Sequence, residues 1–280
     1  MTDTLDELMA SISRASRQAS RRAVLAGGAV TLATASQAWA QATPGTVLIT
    51  GASRGIGFGM ARAYAAQGYR VIATARRPGD AKELAALAAM HKTVQVEALD
   101  VTDMGQIDAL AAKLKGTAID ILINNAGISG ESENQIFGQL KFGVFDTVMH
   151  TNVRGPLKMA EAFLAHVASS TQKKLVNISS TEGSIGTQAA RPDFRNFFYR
   201  ASKAALNMVM VNVAKAVAPQ GVIVGILSPG FVMSDFTKGL KLPMMISVEE
   251  SAAKCIGVIG TLTAAHSGKF LRHTGDEAPW

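Results

Sequence analysis

A chain of 280 residues with 48% hydrophobic and 18% charged residues can bury a sizeable core, which excludes wholesale disorder and suits one α/β domain. A single cysteine excludes a disulfide framework and any cysteine-based zinc cluster, and 6% aromatics that do not alternate with basic residues exclude a base-stacking nucleic-acid binder. The formal net charge of +7 is spread without any Lys/Arg run longer than two, so it is mild and singles out no partner.

The amino end does not read like the rest. Met1 to Arg22 is rich in Ser and Arg, whereas Ala23 to Ala40 carries no charge. The junction Ser20-Arg21-Arg22-Ala23-Val24-Leu25 sets paired arginines directly before an apolar stretch, the pattern of a twin-arginine export signal. That stretch is diluted by Gly, Ser, Thr and Gln, which weakens it as a membrane span. It ends in Ala38-Trp39-Ala40, the small-x-small pattern that signal peptidases cut. The expectation is a signal peptide over 1–40 cleaved after Ala40, a domain over 41–280, and a periplasmic or secreted location with no stable membrane span after cleavage. An uncleaved anchor and a plain tail are the alternatives. Cys255 would then be the one thiol facing an oxidising compartment, and its bland reading is a buried small hydrophobe.

From Thr46 onward, β-branched runs alternate with Ala-rich segments of helical length. Strands are predicted at 47–50, 70–75, 94–99, 119–123, 174–178, 222–227 and 269–271. Helices are predicted at 55–67, 80–90, 103–115, 135–168, 198–217 and 248–263. Apolar strands without polar alternation suit a parallel sheet covered on both faces. The repeated β-α order predicts a single-domain, Rossmann-type, doubly wound parallel sheet of about seven strands with helices on both faces.

The first strand runs into Gly51-Ala52-Ser53-Arg54-Gly55-Ile56-Gly57 and then a helical pattern. Glycines let the backbone turn sharply and approach a phosphate, and the helix N-terminus offers free N–H groups and the positive dipole end. A pyrophosphate fits there. The second strand ends Ala75-Arg76-Arg77, without the acid that holds a ribose 2′-hydroxyl in NAD-binding folds. Arg76, with Arg54 in the glycine turn, suits a 2′-phosphate instead, so NADP (NADPH) is the expected cofactor; solvated surface arginines are the bland alternative.

Five further motifs follow in order: Asn124-Asn125-Ala126-Gly127, Thr151-Asn152-Val153, Ile178-Ser179-Ser180, Tyr199-Arg200-Ala201-Ser202-Lys203 and Ser228-Pro229-Gly230. With the Gly-x-x-x-Gly-x-Gly turn, this set resembles the short-chain dehydrogenase/reductase family over nearly all of 45–280. Tyr199–Met208 and the final stretch to Trp280 look closest to its C-factor/sniffer-like carbonyl reductase branch. The resemblance implies cofactor contacts from Gly51, Ser53, Arg54, Gly55, Ile56 and Gly57, from Asp100 and Val101 near the adenine, and from Asn125, Ala126 and Gly127. It implies further contacts from Tyr199, Lys203, Pro229 and Gly230, with Val232 and Ser234 near the carboxamide. Asp100 reads equally well as a helix cap. Homo-oligomerisation is a further implication.

Tyr199 and Lys203, four apart, share one helix face. A tyrosine holds its proton tightly, and a nearby ammonium favours the phenolate. Tyr199 is therefore the expected general acid in reduction and general base in oxidation. Lys203 would tune it and, by resemblance, hold the nicotinamide ribose. Ser180 would orient the substrate oxygen; Ser179 is its rival, and spacing to Thr181-Glu182-Gly183 favours Ser180. Asn152 resembles the fourth catalytic member, which supports a water-linked proton path. The long stretch from Ser180 to Tyr199, with Arg191, Phe194, Arg195, Phe197 and Phe198, reads either as a surface loop or as a pocket wall. Asp235 to Met245 reads as a lid; Met233, Met244 and Met245 line an apolar pocket or are plain core. The five histidines show no ligand spacing, so no metal is expected.

The expected activity is hydride transfer between NADPH and a small-molecule carbonyl or alcohol. The alternative is a cofactor-loaded signalling or interaction module of the C-factor type. A nucleotide-sugar epimerase is disfavoured by the glycine spacing and the short C-terminal region.

Overall fold

The computed structural model describes residues 44–192, 195–237 and 242–280. The twin-arginine junction and the expected cleavage site lie outside the described residues. The strands are β1 (Thr46–Ile49), β2 (Arg70–Ala75), β3 (Val94–Ala98), β4 (Ile121–Asn124), β5 (Lys174–Ile178), β6 (Ile223–Ser228) and β7 (Phe270–Arg272). They form one sheet in the order β3-β2-β1-β4-β5-β6-β7, and every pairing is parallel. β4 and β5 are buried at every position, as strands covered on both faces must be.

The helices are α1 (Gly55–Ala66), α2 (Lys82–Met90), α3 (Met104–Lys113), α4 (Phe142–Met149), α5 (Gly155–Ala162), α6 (Leu164–Ala168), α7 (Ile185–Ala189), α8 (Phe197–Val217) and α9 (Val248–Thr261). Successive strand residues point to opposite faces, so β1 feeds two cores. Val47 and Ile49 pack with Met60, Tyr64, Leu84 and Ile259 from α1, α2 and α9. Leu48 packs with Ile107, Met159, Leu206 and Met210 from α3, α5 and α8. This is the expected doubly wound arrangement. Each such fully buried Leu or Ile contributes about 1.5–3 kcal/mol. Cys255 is buried, as its bland reading required.

The predicted helix over 135–168 is wrong over its first seven residues, 135–141, and in its regularity. A 3₁₀ turn covers Ser132–Gln135, the chain then leaves helical geometry, and Gly138 takes φ +91°. Helix begins at Phe142, passes through a π-helical turn over His150–Arg154, and continues as α5. A break at Phe163 separates α6. Apolar residues persist through all of this, which is why hydrophobic pattern alone reads it as one helix.

Lys174 in β5 is buried, and its Nζ donates to the carbonyls of Ile259 (2.8 Å) and Gly260 (3.0 Å) near the end of α9. A cation at a helix C-terminus satisfies orphan carbonyls and meets the negative dipole end. The strand order reverses between β1 and β4, which opens a crevice at the carboxyl ends of the strands. The loops after β1, β4, β5 and β6 all emerge there. Among the described residues no helix is long and apolar enough to cross a membrane.

Candidate active site

The glycine turn is built around Thr50, which the sequence reading passed over. Its Oγ1 accepts the backbone N–H groups of Asn125 (3.0 Å) and Ala126 (3.1 Å), tying the end of β1 to the end of β4. The Asn125 amide returns the contact, donating to the carbonyls of Thr50 (3.0 Å) and Gly51 (3.1 Å). Asn125 thus braces the cradle from beneath. Gly51 sits at φ +67°, and a Cβ there would lie 2.8 Å from the Ala126 Cα. At Gly57 a Cβ would lie 2.4 Å from the Asn125 amide nitrogen and 2.5 Å from the Gly51 carbonyl. Backbone therefore packs on backbone where a phosphate would approach. α1 opens with no side-chain cap and no acid in its first turn, which leaves its first N–H groups and positive end for an anion.

Arg76 is exposed at the end of β2 and makes no ion pair among the described residues, whereas Arg77 pairs with Asp80 (3.0 Å). Arg54 is already paired with Asp235 (2.9 Å), so the glycine turn is bridged to the segment after β6. Any role for Arg54 at a 2′-phosphate requires it to leave or share that partner. Asp100 uses its carboxylate on the Thr102 N–H (2.9 Å) and hydroxyl (2.7 Å). It caps the turn before α3, and Asp103 is the helix cap itself. Val101 is buried, with its carbonyl pressed against Gly155. Ser53 and Ile56 are half-buried within the glycine turn.

The four expected catalytic residues converge from three elements. Ser180 follows β5; its Oγ accepts the Glu182 N–H (3.1 Å) and lies close enough to the Tyr199 phenol to lower its proton affinity. Glu182 occupies one of its two lone pairs, and its single proton can turn either to the phenol or to a substrate oxygen. Ser179 points the other way: it is buried, and its hydroxyl donates to Asn207 (2.5 Å). Lys203 is buried, donates to the Ile178 carbonyl (2.8 Å), and holds its Nζ 5.6 Å from the Tyr199 ring centre. Asn152 lies in the π-helical turn. Its amide accepts the Ile128 N–H (2.9 Å) and donates to the Ile128 carbonyl (2.8 Å) and to Ser202 (2.9 Å). The Ser202 hydroxyl donates in turn to the Tyr199 carbonyl (2.8 Å). Ser202 is a second residue that the sequence left unremarked. Gly127 lets this cluster close, since a Cβ there would sit 3.2 Å from the Asn152 oxygen and 3.7 Å from Lys203 Nζ.

Proton affinities in the cluster follow burial first. Burial pushes the Tyr199 phenol up to about 12; Ser180 pulls it down, and the Glu182 carboxylate pushes it further up. Burial pulls the Lys203 amine down to about 8. Lys203 contributes no lowering of the phenol here: burial sets the proton affinity of both groups, because the site that holds the pair together also desolvates both charges. At neutral pH the phenol keeps its proton.

Glu182 accepts from Arg191 (2.8 Å) and Arg200 (2.8 Å), so the stretch after Ser180 is folded back on α8. Phe197 packs on Phe137 and Phe198 on Phe145, with ring centres 5.8 Å and 5.4 Å apart. Phe194 lies outside the described residues. After β6, the Pro229 carbonyl accepts from the buried Ser251 hydroxyl (2.7 Å), and Gly230 abuts His273 and Ile246. Val232 is buried and bridged to Ile246, while Thr237 braces the Val232 carbonyl (2.6 Å) and the Ser234 N–H (3.0 Å). Phe236, half exposed, approaches the Tyr199 ring at 6.1 Å. Met233 and Met244 are exposed and not plain core. Residues 238–241 of the expected lid lie outside the described residues.

The short chain dehydrogenase family pattern matches residues 45–243. The fold resembles the NADPH-bound carbonyl reductase from chicken fatty liver, with a TM-score of 0.79 and 33% identity over 85% of this chain and 100% of that one. It also resembles the carbonyl reductase Sniffer of D. melanogaster, with a TM-score of 0.77 and 27% identity over 84% of this chain and 99% of that one. The C-signal protein of Myxococcus xanthus is 31% identical over 61% of this chain and 99% of its own length. The family match spans the glycine turn, the Asn152 turn and the Ser180-Tyr199-Lys203 cluster together, and the chain belongs to the short-chain dehydrogenase/reductase family.

Proposed function

We propose that the protein is an NADPH-dependent carbonyl reductase in which Tyr199 is the general acid. The observation that carries this reading is the single cluster that brings the Tyr199 phenol beside Ser180 with Lys203 5.6 Å from its ring centre. NADPH fits the residues present: the cradle around Gly51 and Gly57 leaves room only for a closely approaching group, α1 opens uncapped, and Arg76 stands where an acid would repel a 2′-phosphate. When bound, the cofactor supplies the hydride.

The remaining chemistry belongs to the chain. Ser180 donates to the carbonyl oxygen and fixes it beside the phenol. Tyr199 passes its proton to that oxygen as negative charge develops there. Lys203, its Nζ 5.6 Å from the ring centre, stabilises the phenolate left behind and favours its reprotonation. Asn152 and Ser202 hold the helix turn that carries the phenol. Phe236, Met233 and Met244 offer apolar contact for the rest of the substrate.

The test follows NADPH and NADH oxidation by purified residues 41–280 on a panel of aldehydes, ketones and quinones. Tyr199→Phe should abolish turnover and leave NADPH binding nearly intact; wild-type turnover in that variant refutes the acid assignment. The likeness to C-signal favours a second reading, a cofactor-loaded signalling module. NADPH binding without turnover on any carbonyl would support it. Export of the domain after removal of residues 1–40 is also proposed, from the arginine pair and the Ala38-Trp39-Ala40 pattern. N-terminal sequencing of the protein recovered from the periplasm or medium tests it, with Gln41 as the expected first residue.

A further inference from the structure

The helix that carries Tyr199 begins without a cap of its own. Asn196 precedes α8 in a left-handed conformation (φ +56°) and makes no side-chain capping bond. The first turn of any helix leaves N–H groups without intrahelical partners, and a buried one is costly to leave unmet. The N–H of Phe198, one residue before the phenol, is met from far away in the chain: Gln135 Oε1 accepts it at 2.7 Å. Gln135 is 3% exposed, and its amide nitrogen donates to the carbonyls of Ser129 (3.0 Å) and Glu131 (3.1 Å). One side chain thus ties the segment after β4 to the start of the catalytic helix.

The tether closes a ring. From Ser129 the chain runs back to Ile128, whose N–H and carbonyl both engage Asn152. Asn152 reaches Ser202, and Ser202 holds the Tyr199 carbonyl. The backbone at Tyr199 is therefore gripped on both sides, by Gln135 at the preceding N–H and by Ser202 at its own carbonyl. We infer that Gln135 is a positioning residue, capping the catalytic helix from outside so that the Tyr199 hydroxyl stays in line with Ser180. The inference rests on Tyr199 being the general acid.

Gln135→Met keeps the length and apolar bulk of the side chain and removes the cap. It should lower kcat about 10- to 100-fold, the cost typical of displacing a reacting group by about 1 Å. NADPH affinity, read by cofactor fluorescence, should stay within about two-fold, because the glycine cradle and Ser251 are untouched. The kinetic isotope effect with NADPH deuterated at the transferred position should rise as chemistry becomes limiting. Gln135→Glu, assayed near pH 6 where a buried carboxyl is protonated, retains one acceptor and one donor. It should recover kcat to within about three-fold and lose it again as the carboxyl ionises.

Parental kcat in Gln135→Met overturns the inference, and so does equal impairment of the Met and Glu variants near pH 6. Tyr199→Phe run in parallel separates the two levels. Turnover by that variant overturns the acid assignment and this inference with it, whereas an inactive Tyr199→Phe beside an unimpaired Gln135→Met overturns the positioning role alone. Should Gln135→Met fail to fold, hydrogen exchange on the parent protein decides. The Phe198 amide should exchange at least about 100-fold slower than in an unstructured peptide, and exchange at the peptide rate overturns the inference.

Discussion

Lys203→Met should make the cofactor-free protein more stable at neutral pH while abolishing its turnover. Burial has drawn the Lys203 amine from 10.5 to about 8. At about 1.4 kcal/mol per pKa unit, the folded state disfavours the ammonium by about 3 kcal/mol relative to the unfolded chain. Methionine fills similar volume without charge, and removing the donor from the Ile178 carbonyl takes back about 1 kcal/mol. The net gain is about 2 kcal/mol, or about 4–8 °C in Tm for a domain of this size. The sign with pH is the sharper test. The unfolded amine stays protonated up to about 10.5 and the folded one only up to about 8. The parent therefore gains stability as pH rises through that window, and the Met variant does not. Its advantage should be complete below pH 8 and fade toward pH 10.5. Urea unfolding of both proteins, followed by circular dichroism from about pH 7 to about pH 10, reads this directly. A gap that stays constant across the window, or a Met variant that is weaker at neutral pH, would show that the lysine pays no desolvation penalty and refute the reasoning.

Gly57→Ala should weaken NADPH binding at least about 10-fold, since its Cβ meets the Asn125 amide nitrogen at 2.4 Å and overpacking costs about 1–3 kcal/mol; fluorescence titration checks it, and an unchanged Kd would mean the cradle yields. Ser251→Ala leaves the Pro229 carbonyl without its buried donor, so stability should fall by about 1–2 kcal/mol in urea and KM for NADPH should rise. Arg76→Glu should shift the ratio of kcat/KM for NADPH over NADH at least about 10-fold toward NADH, and an unmoved ratio would remove Arg76 from cofactor choice.

The sheet was legible because every strand but β7, which reads Phe-Leu-Arg, is a short run with β-branched residues. Tyr199, Lys203, Ser180 and Asn152 were legible as types at characteristic places, two of them linked by helical spacing. The residues that hold them were not. Thr50, Ser202 and Ser251 are ordinary hydroxyls whose meaning lies in partners far along the chain, Asn125 for Thr50 and Pro229 for Ser251. No local pattern records such a pairing. The break between Gln135 and Phe142 was missed because the segment keeps an apolar content that a helix would also show. Asp100 illustrates a near miss: an acid before a helix reads as its cap, yet Asp103 takes that place and Asp100 closes the turn ahead of it. The high proton affinity of Tyr199 was also out of reach, since it depends on how deeply the assembled site excludes water.

The π-helical turn over His150–Arg154 amounts to one extra residue wound into a helix that is otherwise regular on both sides. A π turn winds about five residues into the rotation that four residues of α-helix would make, so α4 and α5 stay in phase across it. α5 turns Met159 into the core while the residues before the turn face the Phe198 side. Deleting one residue within 150–154 would therefore let the turn close as ordinary α-helix, with both flanks kept in phase and the helix about one residue shorter. What it would remove is the wide turn that presents Asn152 to Ile128 and Ser202.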